Sequence, residues 1–321
     1  MKAVYIEAYG GHEQLKYGEL PNPIVGPKDV LIRAHAASVN PVDWKIREGY
    51  LQSRLQYQFP LILGWDVSGV VERIGDHVTR FKPGDAVFSR PATDRNGTYA
   101  ELVAVDESLV ALKPKNITFE EAASIPLAGL TAWDALHEIA HVSAGQKVLV
   151  HAGAGGVGIY AIQLAKAFGA RVLTTTSTAN VQFVQAYGTD EVIDYTMEDF
   201  AQVASACDVV FDTIGGAVQE KSFGVIAPGG ILVSIVSPPD EAKAKAAGIR
   251  TGYFFLQPDG EKLARLGQLV EEGKLRPVVG AVFPLEQTAK AHALSESHHA
   301  RGKIVLRFDR VEWSSAARSV S

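Results

Sequence analysis

The sequence predicts an α/β protein in which a doubly wound parallel sheet is joined to a smaller, barrel-like β domain. Two observations support this fold class. The first third of the chain consists of short apolar segments separated by Gly and Pro, and the middle alternates strand-like with helix-like segments behind a glycine-rich turn. With 321 residues, 47% of them hydrophobic, the chain is long enough for two domains.

Short strand-like segments fill about the first 120 residues. Turns rich in Gly, Pro and Asp separate them at residues 26–29 and 82–85. Because turns rather than helices connect these segments, they favour a small β domain of barrel-like form. The strand candidates are residues 2–5, 30–34, 67–74, 86–89 and 99–105.

From Val148 onward, apolar strand candidates alternate with segments of helical length and composition. This alternation is typical of a parallel sheet that is covered by helices on both faces. The strand candidates are residues 148–151, 171–176, 191–195, 208–215 and 231–237, and the helix candidates are residues 156–168, 179–187 and 217–226.

The C-terminal part resembles the N-terminal part in its pattern. A helix predicted at residues 259–272 is followed by strand candidates at residues 278–283 and 303–308. We therefore expect the chain to return and complete the first domain. The segment after Phe308 is expected to be loosely held.

Composition and charge exclude several classes of protein. The net charge of −5 gives no reason to expect nucleic-acid binding, which needs a basic patch. No apolar stretch approaches the roughly 20 residues of a membrane span, and the N-terminal stretch turns polar too early for a signal peptide. Cys207 is the only cysteine, which excludes an intrachain disulfide and a cysteine-based zinc cage and favours the cytoplasm.

The glycine-rich turn between the first predicted strand and helix of the parallel sheet is the strongest local signal. Glycines in this position allow backbone N–H groups to approach a pyrophosphate, and the start of the following helix favours the anion. The turn therefore predicts a dinucleotide site, with an ordinary tight turn as the alternative. Its residues are Gly153, Ala154, Gly155, Gly156, Val157 and Gly158.

The end of the second predicted strand indicates which dinucleotide binds. A cofactor without a 2′-phosphate is usually held there by an acid, but no acid occurs before Asp190. Hydroxyl and amide groups can donate hydrogen bonds to a 2′-phosphate, so we predict NADPH rather than NADH. A solvated turn is the alternative, since residues 174–180 contain no Arg or Lys. The pocket candidates are Thr176, Ser177, Asn180 and Tyr195.

Taken together, the motifs resemble the medium-chain dehydrogenase/reductase superfamily, specifically its zinc-free quinone oxidoreductase branch. The matching pieces run in family order from about residue 2 to residue 308. They are SVNPVDWKIREG (38–49), PLILGWDVSGVVERIG (60–75), FKPGDAVF (81–88), GTYAELVAV (97–105), AASIPLAGLTAW (122–133), the glycine turn, GTDEVIDY (188–195), DTIGG (212–216), APGGILVSI (227–235) and RGKIVL (301–306).

The resemblance implies a GroES-like substrate domain formed by both ends of the chain and a Rossmann-type cofactor domain between them. We assign residues 1–123 and 262–321 to the first and residues 124–261 to the second. The resemblance also implies a homodimer.

Zinc-dependent members of this superfamily place Gly-His-Glu where this chain has Gly64, Trp65 and Asp66. Their first zinc cysteine corresponds to Asn40, and their third ligand falls near Leu127. Asn, Trp and Leu cannot supply the Cys and His ligands that catalytic zinc prefers, so no metal is expected. We expect Asp66 to be a structural acid held by hydrogen-bond donors, with Trp65 filling the space beside it.

The catalytic candidates come from the first of these motifs. Asn40 is expected beside the nicotinamide, where its amide could donate to a developing oxyanion, although it could instead cap a turn. Asp43 is a candidate that could equally orient the loop through backbone hydrogen bonds. Tyr50 could donate a proton or be an interface residue, and Lys45 and Arg47 are expected on a solvated face.

Further cofactor contacts are implied by position in the family motifs, with ordinary packing or turn chemistry as the alternative for each. The residues are Thr131, Ile214, Gly215, Val236, Ser237 and Lys303. Two histidine features are expected to be structural. His298 and His299 are expected in a solvated loop, and His151 is expected to be packed.

Without a Lewis acid, the reduction of a simple ketone is difficult, whereas hydride addition to a quinone or an activated alkene gives a delocalised anion. The predicted function is therefore an NADPH-dependent, zinc-independent oxidoreductase acting on a quinone or activated alkene. An alkenal or enone double-bond reductase is the enzymatic alternative. An NADPH-binding sensor or structural protein with incidental turnover is the alternative from another class.

Overall fold

The computed structural model describes residues 1–308, and these form three β-sheets, one of which is parallel and covered by helices. The predicted fold class is confirmed. The tail and the part of the predicted range 262–321 that follow Phe308 lie outside the described residues.

The strands are numbered in chain order. They are β1 (Lys2–Ile6), β2 (Lys16–Glu19), β3 (Asp29–Val39), β4 (Leu61–Ile62), β5 (Val67–Ile74), β6 (Ala86–Ser89), β7 (Leu102–Asp106), β8 (Val110–Leu112), β9 (Lys147–Val150), β10 (Arg171–Thr176), β11 (Glu191–Asp194), β12 (Cys207–Asp212), β13 (Ile226–Ser234), β14 (Arg250–Tyr253), β15 (Val279–Pro284) and β16 (Lys303–Arg307).

The α-helices are shorter and are numbered in the same way. They are α1 (Pro41–Arg47), α2 (Phe119–Ala123), α3 (Pro126–Trp133), α4 (Gly158–Ala167), α5 (Val181–Gln185), α6 (Phe200–Val203), α7 (Gly216–Ser222), α8 (Glu241–Ala247), α9 (Gly260–Glu271) and α10 (Thr288–Glu296).

Six parallel strands form the doubly wound sheet, in the order β11-β10-β9-β12-β13-β14. Side chains alternate between the two faces of a strand, and in β9 both faces are apolar. Val148 and Val150 belong to one hydrophobic cluster, whereas Leu149 belongs to another on the opposite face. Burial on both faces explains why these strands appear in the sequence as continuous apolar runs.

The largest sheet has seven strands and combines strands from the N-terminal part of the chain with β15 and β16, whereas β1 pairs with β2 and β4 in a separate sheet. The order of the largest sheet is β15-β16-β3-β5-β6-β8, and β7 also pairs with β3. β16 runs antiparallel to β3 with Ile304 opposite Val39, which confirms the expected return of the chain. That register places Lys303, next along β16, near Asn40, the residue that follows β3.

The predicted strands of the parallel sheet are confirmed within a few residues, apart from the early start of β13. The predicted helix at residues 179–187 begins instead with a 3₁₀ turn, Thr178–Asn180, before α5. The sequence patterns did not predict α10, because its apolar residues do not form a clear stripe. Among the described residues, no helix is long and apolar enough to cross a membrane.

Candidate active site

A cavity of about 1140 Å³ lies where the carboxyl ends of the parallel strands face β16 and the end of β3. Ligands of open α/β sheets bind at this end of the strands. Of the predicted site residues, the cavity is lined by Asn40, Gly155, Gly156, Val157, Gly158, Tyr195, Ile214, Val236 and Lys303.

The glycine turn packs too closely to admit a side chain at two of its glycines. A Cβ atom on Gly153 would lie 2.0 Å from Thr174 Oγ1, and one on Gly158 would lie 2.3 Å from the Ala152 carbonyl oxygen. The start of α4 therefore lies at the cavity, whereas Gly153 and Ala154 do not line it. The Gly302 N–H donates to the Ala154 carbonyl at 2.9 Å and ties the turn to the residues before β16.

Of the predicted phosphate-pocket residues, Tyr195 lines the cavity, whereas Thr176, Ser177 and Asn180, at the end of β10, do not. Thr176 is buried, and Asn180 Nδ2 donates to Ser177 Oγ at 3.1 Å. Asn180 Oδ1 is buried without a hydrogen-bond partner within residues 1–308. Arg301 reaches this turn from the other sheet, and its Nη2 donates to the Ala179 carbonyl at 3.0 Å.

Asp212 shapes the turn that follows β12. Its carboxylate accepts hydrogen bonds from the backbone N–H groups of Ile214, at 3.0 Å, and Gly215, at 2.8 Å. Gly215 has a φ of 78°, and a Cβ there would lie 2.9 Å from Val236. Ile214 and Val236 face the cavity. Gly215 and Ser237 support the turn but do not line the cavity.

The carboxylate of Asp66 is fully buried and holds Asn40 in place. Asp66 Oδ2 accepts hydrogen bonds from Ser38 Oγ at 2.6 Å and from Asn40 Nδ2 at 2.8 Å, and Oδ1 accepts from the Leu127 N–H at 2.6 Å. These donors compensate the burial of the charge. The expectation that hydrogen-bond donors hold Asp66 is confirmed, and Trp65 beside it is completely buried as expected.

Lys303 completes this cluster from β16. Its Nζ donates to Asn40 Oδ1 and to the Val39 carbonyl and lies 3.4 Å from Asp66 Oδ2. The stem of Lys303 passes the glycine turn, since a Cβ on Gly156 would lie 3.0 Å from its Cδ. The ammonium nevertheless points to Asn40 and Asp66, because a buried cation needs a nearby anion. Burial lowers the pKa of Lys303, and Asp66 opposes this shift.

A second buried acid, Asp43, sits behind Asn40. Its Oδ2 accepts hydrogen bonds from the Asn40 N–H at 2.8 Å and from Tyr99 Oη at 2.6 Å, whereas Oδ1 has no partner in the described part of the chain. Burial raises the pKa of Asp43 to about 7, although the bonds from Tyr99 and Asn40 favour the charged form. Asp43 therefore orients the start of α1 and does not line the cavity.

The hydrogen bonds to Asp43 continue through the core. Tyr99 Oη lies 3.3 Å from His292 Nε2, and His292 Nδ1 lies 3.1 Å from Arg47 Nη1. Because a guanidinium only donates, Nδ1 accepts and Nε2 carries the hydrogen. Arg47 is completely buried, so the expectation that it lies on a solvated face is wrong. Its Nε donates to the Gly10 carbonyl, a distant partner that local helix periodicity could not reveal.

Tyr50 and Thr131 are two further predicted site residues that do not line the cavity. The side chain of Tyr50 is 67% exposed and packs edge-on to Trp44 in the turn after α1, so its position does not support a role as proton donor. Thr131 is buried in α3, and its hydroxyl donates to the Leu127 carbonyl at 2.8 Å instead of facing the cavity. By contrast, Lys45 and His298 both line the cavity.

His151 is packed, as expected. Its ring nitrogens lie 3.1 Å from Thr175 Oγ1 and 3.0 Å from Ser222 Oγ, and burial lowers its pKa to about 4. Cys207 is also buried, and burial raises the pKa of its thiol to about 11. Within residues 1–308, no group of three or more His, Cys, Asp or Glu side chains is arranged to hold a metal ion.

The cavity lies between a parallel sheet that carries a glycine turn and a second sheet. This arrangement is typical of a dinucleotide-dependent oxidoreductase of two-domain type. Residues 26–115 match the family described as alcohol dehydrogenase GroES-like domain, and residues 187–306 match the family described as zinc-binding dehydrogenase.

Similar proteins agree with this class. An NADPH-dependent alkenal/one oxidoreductase of Arabidopsis thaliana is 39% identical over 95% of this chain and 79% of its own. A quinone oxidoreductase of Triphysaria versicolor is 34% identical over 95% of this chain and 98% of its own. The solved quinone oxidoreductase of Coxiella burnetii is 37% identical, with a TM-score of 0.88 over 96% of this chain and 99% of its own. The chain belongs to the medium-chain dehydrogenase/reductase superfamily, alongside quinone oxidoreductases and alkenal reductases.

The raised pKa of Asp43 predicts a pH-dependent contribution to stability. Between about pH 4 and pH 7, the unfolded state has released the Asp43 proton while the folded state retains it, so raising the pH favours unfolding. The free energy of unfolding of the native protein, relative to the Asp43→Asn variant, should therefore fall by about 2 kcal/mol between pH 5 and pH 7.5. Urea denaturation at both pH values measures this difference.

The comparison with Asp43→Asn cancels the opposite contribution of His151 and His292. Their pKa values are lowered by burial, to about 4 and about 3, so these residues make the protein more stable as the pH rises toward 6.5. Asp76→Asn, on the exposed surface, is the control. The free energy of unfolding of the native protein, relative to this variant, should not fall comparably between pH 5 and pH 7.5. Parallel pH profiles for the native protein and Asp43→Asn would contradict the assignment.

Proposed function

We propose that this protein is an NADPH-dependent, zinc-independent oxidoreductase that reduces a quinone or an activated alkene. One observation carries the proposal: a single cavity brings the glycine turn of the parallel sheet to Asn40, which is held by a buried carboxylate and a buried ammonium. Such a cavity can hold a nicotinamide and an acceptor against each other.

The residues present fit a dinucleotide. The Gly155–Gly156 backbone faces the cavity without side chains, and the N–H groups at the start of α4 suit a pyrophosphate. When bound, NADPH would supply a hydride to the acceptor. Ile214 and Val236 also line the cavity and offer apolar contact.

The preference for NADPH is supported by the turn after β10. Ser177 and Asn180 carry groups that can bond to a 2′-phosphate, and the buried Oδ1 of Asn180 has no partner within the described chain. An amide can be turned over, which would present its NH₂ group instead. The guanidinium of Arg301 adds the positive charge that residues 174–180 lack. The Arabidopsis thaliana relative is NADPH-dependent by name.

The chemistry assigned to Asn40 follows from its two partners. Lys303 can only donate, and the Asp66 carboxylate can only accept, so the orientation of the amide is determined. One hydrogen of Nδ2 is used by Asp66. The other remains available to an acceptor oxygen in the cavity, where it would stabilise the negative charge that develops on reduction.

Zinc independence is supported by the side chains at the position of the metal in zinc-dependent relatives. Trp65 is buried there, Asn40 is bound to Asp66, and Leu127 contributes only its backbone N–H. The buried ammonium of Lys303 supplies a positive charge close to Asn40. This charge can stabilise negative charge that develops in the site, as a metal ion would.

Reduction of the double bond of an alkenal or enone is the second candidate function. The Arabidopsis thaliana relative named for this activity is 39% identical to the chain, compared with 34% for the Triphysaria versicolor quinone oxidoreductase. An NADPH-binding protein with incidental turnover is the candidate from another class. The availability of an Asn40 N–H beside the cavity favours an enzyme.

We also propose the domain boundaries, assembly and location that the sequence indicates. Residues 1–123 and 262–321 would form the substrate domain, and residues 124–261 the cofactor domain. A homodimer is supported by the outer strand β14, whose Tyr253 is 42% exposed. The single, buried Cys207 is consistent with the reducing cytoplasm.

The first prediction from this proposal concerns the reaction. Purified protein should oxidise NADPH when given a 1,4-quinone or a cyclic enone, and treatment with a chelator should leave the rate unchanged. The measurements are NADPH absorbance with each acceptor and metal analysis of the active protein. Tight NADPH binding without turnover of any acceptor would favour the binding-protein alternative, and one zinc per active chain would overturn zinc independence.

The second prediction concerns the phosphate pocket. Arg301→Ala and the double variant Ser177→Ala/Asn180→Ala should raise the KM for NADPH at least tenfold and change the KM for NADH much less, because only NADPH carries the 2′-phosphate. Arg171→Ala, which removes a surface arginine paired with Glu191, is the control. Equal changes for both cofactors would refute the pocket.

The third prediction concerns Asn40. Asn40→Ala should lower kcat at least tenfold, which corresponds to about 1.4 kcal/mol of transition-state stabilisation, and should leave NADPH binding largely intact. Asn116→Ala, which removes an amide bonded to the Val270 carbonyl, is the matched control. An unchanged kcat in a folded Asn40→Ala protein would assign Asn40 to structure alone.

A further inference from the structure

One wall of the cavity carries basic side chains and no acid. This wall is formed by the end of β3, by α1 and by the segment that leads into β16. Its basic lining residues are Lys45, His298 and Lys303, and within residues 1–308 no Asp or Glu of these segments lines the cavity. The acids among the lining residues, Glu198 and Asp199, follow β11 of the parallel sheet instead.

Lys303 is engaged with Asn40 and Asp66, whereas the ammonium of Lys45 has no such partner. Lys45 Nζ lies 5.7 Å from the centroid of the Trp44 ring, and within residues 1–308 no carboxylate forms an ion pair with it. The side chain is partly buried, and burial lowers the pKa of Lys45 without an opposing acid in the described chain. An ammonium that is partly withdrawn from water is stabilised by an anion, so Lys45 is suited to bind one.

His298 reaches the same wall from an unusual backbone position. α10 ends at Glu296 with Ser297 as its C-cap, and the next residue, His298, has a φ of 58°. Gly is the usual residue at this position after a helix, because other side chains are strained there. Strain of this kind is retained mainly at functional sites. The imidazole of His298 lines the cavity, where its N–H can donate a hydrogen bond.

The two basic groups lie along the wall that begins at Asn40. Asn40 is the N-cap of α1, and Pro41 and Lys45, four residues apart, both line the cavity. Residues at this spacing share one helix face and are separated by about one turn, roughly 5.4 Å. The ring of His298 packs edge-on to Trp44 at 6.3 Å, the same ring that Lys45 contacts. An acceptor that bonds to Asn40 can therefore extend toward both basic groups.

We propose that Lys45 and His298 form a subsite for an anionic substituent of the acceptor, such as a carboxylate. This inference rests on the proposed function and narrows its substrate class to quinones or activated alkenes that carry a negative charge. The anion would accept hydrogen bonds from Lys45 Nζ and from the imidazole, while the amide of Asn40 serves the reacting oxygen. Because no acid lines this wall within residues 1–308, the anion would meet complementary charge only.

The kinetic test compares an anionic with a neutral quinone. For each protein, kcat/KM is measured with 1,4-naphthoquinone-2-sulfonate and with 1,4-naphthoquinone. Lys45→Met keeps an unbranched side chain and removes the charge, and it should lower the ratio of anionic to neutral activity at least tenfold. His298→Gly removes the ring at a position whose backbone favours Gly, and it should lower the ratio at least threefold. Lys45→Arg retains the cation and should lower the ratio much less than Lys45→Met.

A binding measurement without turnover accompanies the kinetics. Naphthalene-2-sulfonate and the neutral naphthalene-2-sulfonamide, neither of which is a quinone or an activated alkene, are titrated calorimetrically into the NADPH-loaded protein. The native protein should bind the sulfonate at least tenfold more tightly than the sulfonamide. Lys45→Met should abolish this preference, and His298→Gly should reduce it.

Each variant has a matched control outside the cavity lining. Lys290→Met removes an exposed lysine of α10 that is bonded to Gln287. His299→Ala removes the exposed histidine next to His298. Neither Lys290 nor His299 lines the cavity, so both controls should retain the native activity ratio and the native preference for the sulfonate.

The outcomes separate the inference from the function on which it rests. Native protein that reduces neither quinone contradicts the proposed function, whereas a sulfonate preference that is lost in Lys45→Met still supports the subsite. Active native protein whose variants keep the native ratio, or lose both activities equally, overturns the subsite alone. A raised KM for NADPH with an unchanged ratio also overturns it and assigns the two basic groups to the phosphates of the cofactor.

Discussion

The buried carboxylate of Asp66 is the interaction on which the site depends. Its two oxygens receive donors from the end of β3, from the backbone of α3 and from β16, three parts of the chain that are far apart in sequence. A charge in this position costs several kcal/mol unless all its donors are in place, so the fold and the orientation of Asn40 are secured by the same hydrogen bonds. Removal of any one of these donors would leave the buried Asp66 carboxylate with an unsatisfied hydrogen-bonding position.

Asp43 and Asp66 illustrate how similar acids acquire different properties in one core. Asp66 has Lys303 and three neutral hydrogen-bond donors around it, whereas Asp43 has two neutral donors and one oxygen without a partner in the described chain. Desolvation consequently dominates at Asp43 and raises its pKa. Asp66 holds Asn40 through its side chain and Asp43 holds it through its backbone N–H, so Asn40 has little freedom to move.

Most of the architecture could be predicted from the sequence, because period-two strands, apolar runs and a glycine turn are local patterns. The lining by Gly155 and Gly156 follows from such a pattern. The buried state of Arg47 and the approach of Arg301 to Ala179 could not be predicted, since each depends on a partner more than 30 residues away. Tyr50 was a reasonable candidate by its position in the motif, but the turn after α1 directs it toward solvent and Trp44.

Residues 301–303 contact three separate parts of the site. Arg301 touches the turn after β10, Gly302 bonds to the glycine turn, and Lys303 bonds to Asn40. These residues are synthesised after every strand of the parallel sheet. A ribosome-bound chain that has already folded that sheet therefore still lacks the strand that joins the glycine turn to Asn40. The nascent protein would be unable to consume reducing equivalents until β16 has paired with β3.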